Sequence, residues 1–453
     1  MNTSPAKQGC RNAKASLTLM GMNAATGMPS PESTYPRHEL SLNTCLLVFL
    51  ALGFVLRMAL VFWARTYVGS AETLRPFGQE ICRIATHIAA GKGFSSPFAA
   101  GETGPSAWVG PIYPYLVAAI FWLLGSYSRL SAIAILALQS LMGAATGIGI
   151  YKLGARTLGE RVGFWAALIW TCSPIFFRWP ASYIWDFPAT ALLLAVCFLL
   201  SLDAGTKGTR KSWLALGASW GFGALLNPAV LSLLPFSFAH AAVANQKARM
   251  SCLRSMLLAF LLFLVIISPW LARNYVAFGH PVFLRDNFWF EFSLGNYHLS
   301  NGMGWAAHHP DGNPAVGRQV VRLGELAFIE LHKREAFDFV RSQPREFLAL
   351  TAHRMLWYWD GTPLHYQAQE WWQPWEFWPL SLLAWLGLLF VLTRRPQGWI
   401  LYAAALLIYP IPYYLTYAQP KYRHVIEPEM LLLSVYLVSV IWSEMQRQRA
   451  PRS

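Results

Sequence analysis

Six long apolar runs constrain this sequence more than any other feature. They occupy residues 42–63, 163–179, 253–271, 377–392, 399–417 and 430–442. A helix needs roughly 20 apolar residues to cross a bilayer, and these runs are near that length. Because 55% of the 453 residues are hydrophobic and only 13% are charged, one water-soluble core of this size would not hide the apolar surface. The sequence therefore predicts an all-α fold, a polytopic transmembrane helical bundle of about ten to twelve helices.

The formal net charge of +14 comes from basic residues in short connectors between the apolar runs. Such residues favour the cytoplasmic side of a membrane. The clusters are Lys152, Arg156 and Arg161; Lys207, Arg210 and Lys211; Lys247, Arg249 and Arg254; Arg394 and Arg395; and Arg447, Arg449 and Arg452. With all of them in the cytoplasm, residues 66–111, 178–186, 273–375 and 418–424 face the opposite side. Topology explains the charge better than nucleic-acid binding does, and the pattern predicts a multi-pass protein of the inner (plasma) membrane.

Composition divides the chain into consecutive segments. They are a disordered cytoplasmic tail (1–40), an N-terminal transmembrane module with a first outer loop at 66–111 (41–272), a large extracytoplasmic loop (273–375), C-terminal transmembrane helices (376–445) and a cytoplasmic basic tail (446–453). Two stretches leave the helix count open. Residues 112–151 hold two apolar runs where one crossing is expected, and residues 213–244 are interrupted at Asn227-Pro228, where proline forces a kink or a turn.

The stretch "FGQEICRIATHIAAGKGFSSPF", residues 77–98, is unusually polar for this chain. Its isoleucines at 81, 84 and 88 share one helical face, and Glu80, Arg83 and His87 share another. Glycines at 91 and 93 end the predicted helix. The pattern predicts an amphipathic helix on the outer leaflet, with a carboxylate near a basic group and an imidazole. The plainer interpretation, in which the polar residues are only the wet face of a surface helix, stays open.

The large loop at 273–375 is too long for a simple connector. Helical periodicity is visible at 316–340 and again at 345–358. The tryptophans at 357, 359, 371, 372, 375 and 378 are typical of an interfacial anchoring belt.

A series of motifs resembles the GT-C class of membrane glycosyltransferases. A first apolar helix precedes an acidic residue in an outer-loop helix, a Gly-x-Gly-Phe turn at 91–94 and a Pro-x-Tyr-Pro entry at 111–114. "SPWLARNYVAFGHPVFLRDNFWFEFSLGN" (268–296) and "PKYRHVIEPEMLLL" (420–433) are similar to a late outer loop and the entry to the last helix of that class. The resemblance runs from about residue 45 to 440 through loose motifs, and it is nearest to the protein mannosyltransferases, the lipid A aminoarabinose transferases and their bacterial relatives.

The resemblance implies that a sugar carried on a polyprenyl phosphate is transferred at the extracytoplasmic face, with inversion, to a hydroxyl group of a protein, lipid or polysaccharide. Such a reaction needs a carboxylate to take the acceptor proton. Glu80 is the predicted base, although the class usually has Asp there. Asp186 is the predicted second acid, with a helix N-cap or first-turn charge as the equal alternative. Arg83, His87, Tyr113 and Tyr422 are further candidates.

The departing phosphate needs fixed cations near the bilayer surface. Lys421, Arg423 and His424 stand together where the last helix begins and are the predicted phosphate-binding residues. The alternative is a cluster that contacts ordinary lipid headgroups. Arg273 is either an interfacial anchor or a contact to the donor.

Other polar groups suggest less. Asp286 and Glu291 line an acceptor groove or are structural, and Arg57, in the first apolar run, must face protein or water. His308, His309 and Asp311 lack the spacing of a usual zinc site. The sequence therefore predicts no cofactor and no metal, and it predicts a lipid-linked donor, a hydroxyl acceptor and the bilayer as partners.

Two other function classes compete with an enzyme. A transporter or flippase of lipid-linked sugars would place charges within the bilayer and show paired repeats. Here the polar residues concentrate in two outer loops and no repeat is visible, which favours the enzyme. A non-catalytic scaffold of the cell envelope would tolerate loss of Glu80.

Overall fold

The computed structural model describes residues 42–69, 76–77, 79–245, 249–298, 308–361 and 373–449. The predicted tail at 1–40 lies outside these residues. Residues 49–453 form one compact unit, to which every contact discussed below belongs. Residues 1–48 form the other unit, of which only the start of the first helix is described.

The described chain is built from helices. In the first part they are α1 (Leu42–Trp63), α2 (Gln79–Ala89), α3 (Ile112–Leu124), α4 (Arg129–Thr157), α5 (Glu160–Cys172), α6 (Phe187–Lys207), α7 (Arg210–Leu226), α8 (Leu234–Ala244) and α9 (Arg249–Phe278). In the second part they are α10 (Phe288–Gly295), α11 (Pro314–Leu323), α12 (Glu325–Ser342), α13 (Pro344–Asp360), α14 (Gln373–Arg394), α15 (Trp399–Leu407), α16 (Ile411–Leu415) and α17 (Glu427–Arg449). Short 3₁₀ helices lie at Pro174–Phe176, Pro228–Leu233 and Pro420–Val425. The predicted all-α class is confirmed.

Six helices of the described part of the chain are long and apolar enough to cross a membrane. These spans are Asn43–Trp63, Arg129–Thr157, Phe187–Lys207, Met250–Phe278, Phe377–Arg394 and Glu427–Arg449. Shorter apolar helical segments lie at Ile112–Leu124, Pro228–Ala244 and Trp399–Leu415. The protein is therefore a multi-pass membrane protein in which long and short apolar helices are combined.

Prolines and glycines account for the differences between the predicted runs and the observed helices. The run at 163–179 is the shorter helix α5, because Pro174 begins a 3₁₀ turn. The run at 399–417 is divided into α15 and α16 at Pro410. Residues 112–151 contain two helices, since Gly125 with φ +87° ends α3 before α4 begins. The predicted break at Asn227-Pro228 separates α7 from a 3₁₀ helix.

The helix α17 continues to Arg449, so the start of the predicted tail at 446–453 is helical. Similarly, Arg273 lies within the last turns of α9 rather than in the loop. The predicted helices of the large loop are present as α11, α12 and α13. The first two are separated at Gly324, whose φ of +77° no helix accommodates.

Close helix packing depends on small residues. In α7, a Cβ atom added to Gly217 would lie 2.1 Å from the Ala259 carbonyl oxygen of α9. The two backbones therefore meet only because Gly217 has no side chain. Arg57 of α1 faces protein, as predicted. Its guanidinium donates to the carbonyl oxygens of Gly53 at 3.0 Å and Trp170 at 3.2 Å.

Two loops carry the polar residues, and they are joined to each other. We call residues 64–111 the first loop and residues 279–372 the large loop. The backbone N–H of Ala107 donates to Glu325 Oε1 at 2.6 Å, and the N–H of Asp286 donates to the Ala107 carbonyl at 3.2 Å. Arg285 Nε donates to the Trp108 carbonyl at 3.1 Å. The first loop is therefore held by side chains and backbone of the large loop.

Candidate active site

Helix α2 brings Glu80 into the interior between the two loops. Ile81, Ile84 and Ala85 are buried, as the periodicity predicts. The predicted wet polar face is wrong for Glu80, because only 8% of this residue is exposed. His309 and Asp311 of the large loop contact Glu80 and Arg83, so the polar face of α2 is covered by protein.

One carboxylate oxygen of Glu80 has a hydrogen-bond partner, and the other is buried without one in the part of the chain that the structure describes. Its Oε1 lies 3.3 Å from His309 Nε2, and its Oε2 has no hydrogen-bond partner among the described residues. Burial alone would raise the pKa of Glu80, but the hydrogen bond from His309, the positive charge of that imidazole when it is protonated and the charge of Lys421 lower the pKa to about 2. Glu80 is thus ionised at neutral pH with one oxygen available as an acceptor.

Asp186 lies at the corner that precedes α6. It occupies the N-cap position, but its side chain makes no capping hydrogen bond. Its Oδ2 instead accepts a hydrogen bond from Asn227 Nδ2 at 3.0 Å. Burial raises the pKa of Asp186 to about 6, against the opposing charges of Arg285 and Lys421. A carboxyl group with this pKa changes its charge close to the pH at which most enzymes work.

A buried network holds the corner in place. Gln139 of α4 accepts the hydroxyl of Tyr113 and the N–H of Trp185 on its Oε1, the latter at 2.9 Å. Its Nε2 donates to the carbonyls of Pro180 at 2.7 Å and Tyr183 at 2.9 Å. Tyr113 therefore contacts the corner that carries Asp186 through Gln139, and it supports that corner rather than contacting Asp186 itself.

Lys421 reaches the same place from the 3₁₀ helix Pro420–Val425. Its Nζ lies 4.2 Å from the ring centroid of Trp185. Burial lowers the pKa of Lys421, while the negative charges of Glu80, Glu291 and Asp186 oppose that shift. Its neighbour Tyr422 stacks on Tyr413 with ring centroids 4.7 Å apart. The structure therefore brings Glu80, Asp186, Lys421 and Tyr422 together from separate parts of the chain.

Glu291 and Arg285 of the large loop complete the cluster. Asn287 Nδ2 donates to Glu291 Oε1 at 3.2 Å. Burial raises the pKa of Glu291, and the negative charge of Glu80 raises it further. The positive charges of His309 and Arg285 oppose this shift. Sequence reasoning considered Glu291 for an acceptor groove and missed Arg285. Its position in the run "RDNFWFEF", beside two acids, was the available signal.

Comparisons with known proteins agree with this architecture. A model of the dolichyl-phosphate-mannose-protein mannosyltransferase family matches residues 108–272, which include Asp186 and Asn227 but not Glu80. The archaeal oligosaccharyltransferase AglB from Archaeoglobus fulgidus, in complex with an inhibitory peptide and a dolichol-phosphate, has a TM-score of 0.51 at 13% identity. The chain has the GT-C fold. The resemblance to the GT-C class that the sequence indicated is thereby confirmed.

The likeness to the oligosaccharyltransferases covers 90% of this GT-C chain and 51% of theirs, so the chain spans about half their length. A second structure of the Archaeoglobus fulgidus enzyme, tethered with an acceptor peptide containing the NVT sequon, gives a TM-score of 0.51 at 16% identity. ArnT from Cupriavidus metallidurans bound to undecaprenyl phosphate gives 0.39 at 14% identity, over 91% of this chain and 81% of ArnT. No curated protein sequence matches.

Arg423 and His424 of the GT-C chain turn away from the carboxylate cluster. Arg423 is fully buried and donates to Ser381 Oγ at 2.8 Å and to the Phe377 carbonyl at 3.1 Å. His424 Nδ1 lies 2.8 Å from Glu427 Oε2, and its ring stacks on Trp170. These contacts favour a structural role in joining α17 to α14 and α5.

Arg273 of α9 is similarly engaged. Its guanidinium donates to the carbonyls of Ser106 at 2.7 Å and Phe94 at 2.6 Å, and it lies over the ring of Trp270. It fastens the first loop to α9.

Arg83 and His87, on the same helix as Glu80, contact the surrounding loops. Arg83 forms an ion pair with Asp311 and donates to the Pro97 carbonyl at 3.3 Å. His87 Nδ1 lies 3.2 Å from Ser95 Oγ, and burial lowers the pKa of its half-buried ring. These contacts join α2 to residues 95–97 of the first loop and to Asp311 of the large loop.

A second acidic pair lies behind the cluster. Burial raises the pKa of Glu325 well above its usual value, and the charge of Asp286 adds to that shift. Burial also raises the pKa of Asp286, to about 6. Within the described residues, no group of three or more His, Cys, Asp or Glu side chains has a geometry suited to a metal ion.

Proposed function

We propose that this chain is an integral membrane glycosyltransferase that moves a sugar from a polyprenyl-phosphate donor to a hydroxyl acceptor. The observation that carries the proposal is the convergence of Glu80, Asp186 and Glu291 with Lys421 and Arg285, next to the ends of apolar helices. Glycosyl transfer from a phosphate creates positive charge at the sugar and negative charge on the leaving phosphate. The acids of this site match the first charge, and the cations match the second. The comparisons support the same class, since the matching family is described by dolichyl-phosphate-mannose and the similar oligosaccharyltransferase structure holds a dolichol-phosphate.

Glu80 is the proposed base. The acceptor O–H proton passes to Glu80 Oε2, the acceptor oxygen forms a bond to the anomeric carbon, and the bond from that carbon to the phosphate oxygen breaks. Attack from the face opposite the leaving group inverts the anomeric centre. The electron pair leaves on the phosphate, giving the polyprenyl phosphate. The other carboxylates stabilise positive charge that develops at the sugar, as acids do in other glycosyl reactions.

Lys421 and Arg285 are the proposed cations for the phosphate. Both are half-buried, and their charges act on the same carboxylate, Asp186. Of the residues first proposed for this role, Lys421 remains, because Arg423 and His424 are occupied by contacts to other helices. Tyr422 and Trp185 supply aromatic surface beside the lysine, on which a sugar face can pack.

The site is proposed to face the extracytoplasmic side of the inner (plasma) membrane. The basic connectors 152–161 and 207–211 support this orientation, because such residues concentrate in the cytoplasm. They lie at the far ends of α4 and α6 from the corner that carries Asp186. The segments 41–272 and 376–445 then form the membrane module, and residues 273–375 cover the site.

The first experiment compares the purified protein in nanodiscs with its Glu80→Gln variant. The donors are radiolabelled polyprenyl-phosphate sugars, and a membrane extract serves as acceptor. We expect transfer to fall by about 10²- to 10⁴-fold in Glu80→Gln, the range for loss of a general base. Glu102→Gln is the matched control, since Glu102 is an exposed acid of the same loop that pairs with Lys92.

Each assay has an arm with a chelator, because clustered carboxylates also bind divalent cations. Transfer that survives Glu80→Gln would assign the base to another acid, with Asp186 first. Absence of transfer by the wild type with every donor would contradict an enzyme and favour a transporter of lipid-linked sugars or a scaffold.

A further inference from the structure

The sequence gives His309 no role, because His308, His309 and Asp311 lack the spacing of a usual zinc site. In the structure it is almost fully buried, with 2% of the residue exposed. Its ring meets the edges or faces of Phe98 and Phe290, with centroids 5.7 and 5.8 Å away. A buried imidazole between two aromatic rings has little rotational freedom.

The hydrogen bonds of His309 define which nitrogen carries the proton. The backbone N–H of Asp311 donates to His309 Nδ1 at 3.2 Å. Since Nδ1 accepts a hydrogen bond, the proton of the neutral ring lies on Nε2. This nitrogen is the one that lies 3.3 Å from Glu80 Oε1. His309 is therefore a donor toward Glu80.

Asp311 is held from two sides, which fixes the segment that carries His309. Its Oδ1 accepts the backbone N–H of Ala99 at 2.9 Å, and its Oδ2 pairs with Arg83. Arg83 belongs to α2, the same helix as Glu80. The contacts thus form a closed circuit that runs from Glu80 through His309, Asp311 and Arg83 back to α2.

We propose that His309 is a positioning residue for Glu80: it binds Oε1, so that Oε2 alone faces the acceptor. A hydrogen bond to a carboxylate also stabilises its charged form. The proposal rests on the proposed function and deepens it, since it makes the large loop a part of the reactive site. Lys421 and Glu291 also face Glu80 with opposite charges, from the 3₁₀ helix and from α10. Their effects on the carboxylate partly cancel, whereas the hydrogen bond from His309 has no such counterpart.

Two variants separate the hydrogen bond from the packing. His309→Phe keeps a ring between Phe98 and Phe290 but removes the donor. His309→Gln restores a side-chain N–H at a similar distance from the backbone. Both are made in the full-length protein in nanodiscs, and a correct fold is checked by its thermal midpoint.

The first readout does not depend on transfer. A hydrophobic carbodiimide reacts with protonated carboxyl groups, so the labelling of Glu80, measured by peptide mass spectrometry between about pH 4 and about pH 8, reports its protonation. We expect wild-type Glu80 to resist labelling throughout, because its pKa is lowered. In His309→Phe, labelling near pH 5 is expected to rise at least about tenfold, as it would for a pKa raised by one unit. His309→Gln is expected to lie between the two. Exposed Glu102 is the internal reference.

The second readout is the pH dependence of transfer. We expect His309→Phe to lose transfer on the order of 10²-fold, as for a displaced reacting group, with the loss greatest at acid pH. His309→Gln should recover part of it. Equal labelling of Glu80 in wild type and His309→Phe, with an unchanged acid limb of transfer, would overturn the proposal even if Glu80→Gln is inactive. A labelling shift in a protein that transfers no sugar would support the link between His309 and Glu80 and reject the proposed function.

Discussion

Asp186 and Glu80 are both buried acids, yet their surroundings move their pKa values in opposite directions. Glu80 receives a hydrogen bond from an imidazole, and its pKa is about 2. Asp186 receives one from the neutral amide of Asn227, and its pKa is raised to about 6. Environments that separate two acids in this way are typical of sites where the acids have different roles.

Asp186 is therefore expected to set the acid limb of the pH profile. Its pKa of about 6 means that the carboxylate is protonated below that pH, so transfer that needs the charge falls as pH decreases through this value. In Asp186→Asn, we expect about tenfold or greater loss of transfer at pH 8 and no limb near pH 6. The measurement is kcat/KM against pH for both proteins.

The stability of the same variant provides its control. Because the fold raises the pKa of Asp186 from 3.8 to about 6, ionising it costs folding free energy as pH rises through that interval. Asp186→Asn avoids the cost, so its thermal midpoint at pH 8 should not fall below that of wild type. A limb near pH 6 that persists in the variant would show that another group titrates there.

Lys421 and Arg423 are two residues apart, but we expect their replacement to have different effects, on transfer for Lys421 and on stability for Arg423. Lys421→Met should reduce transfer by about 10²-fold at unchanged stability, since it removes a cation that faces a leaving phosphate. Arg423→Met leaves Glu427 and several carbonyls without their buried donor and should cost about 3–5 kcal/mol of stability. Transfer and thermal midpoint are measured for both, with exposed Lys92→Met as the control. A stable Arg423→Met that has lost only donor affinity would return Arg423 to the phosphate site.

Among the helices, α7 and α9 have the closest contact described above, and one glycine permits it. Gly217→Ala would place a Cβ 2.1 Å from the Ala259 carbonyl oxygen, so the helices must separate. Overpacking of this kind costs about 1–3 kcal/mol. We expect a lower thermal midpoint in nanodiscs for Gly217→Ala.

Gly223 on the same helix is the matched control. A Cβ there would meet Val230 at 3.5 Å, an ordinary contact. Since alanine favours helix over glycine by up to about 1 kcal/mol, Gly223→Ala should be neutral or stabilising. Equal midpoints for the two variants would mean that α7 and α9 are not held at the observed separation.

The periodicity of apolar residues predicted much of the helical structure. The bounds of α1 agree with the run 42–63, and the apolar face of α2 is buried as its isoleucine spacing indicates. Helix lengths at α5 and α15 were overestimated, because hydropathy ignores the prolines that end them. These errors are local, and they leave the all-α architecture unchanged.

For the molecule as a whole, the sequence singled out two acids of the cluster, Glu80 and Asp186, but not the residues that surround them. Glu80, Asp186 and Lys421 were chosen from motif position, and the fold brings them together. Arg285, His309 and Asn227 were not assigned to the site, since their roles come from contacts across at least 41 residues of sequence. Spacing along one helix cannot reveal a contact such as that of Glu80 with His309, in which a distant loop covers the polar face.

Exchange of segments between related chains is restricted by the way the first loop joins the large loop. Arg273, Arg285 and Glu325 each form hydrogen bonds with backbone atoms of residues 94–108. An insertion in that stretch would shift its backbone and detach three partners at once. In a hybrid protein, the first loop and the large loop would therefore have to be exchanged together. A large loop transferred alone would lack the backbone of the first loop to which its side chains bind.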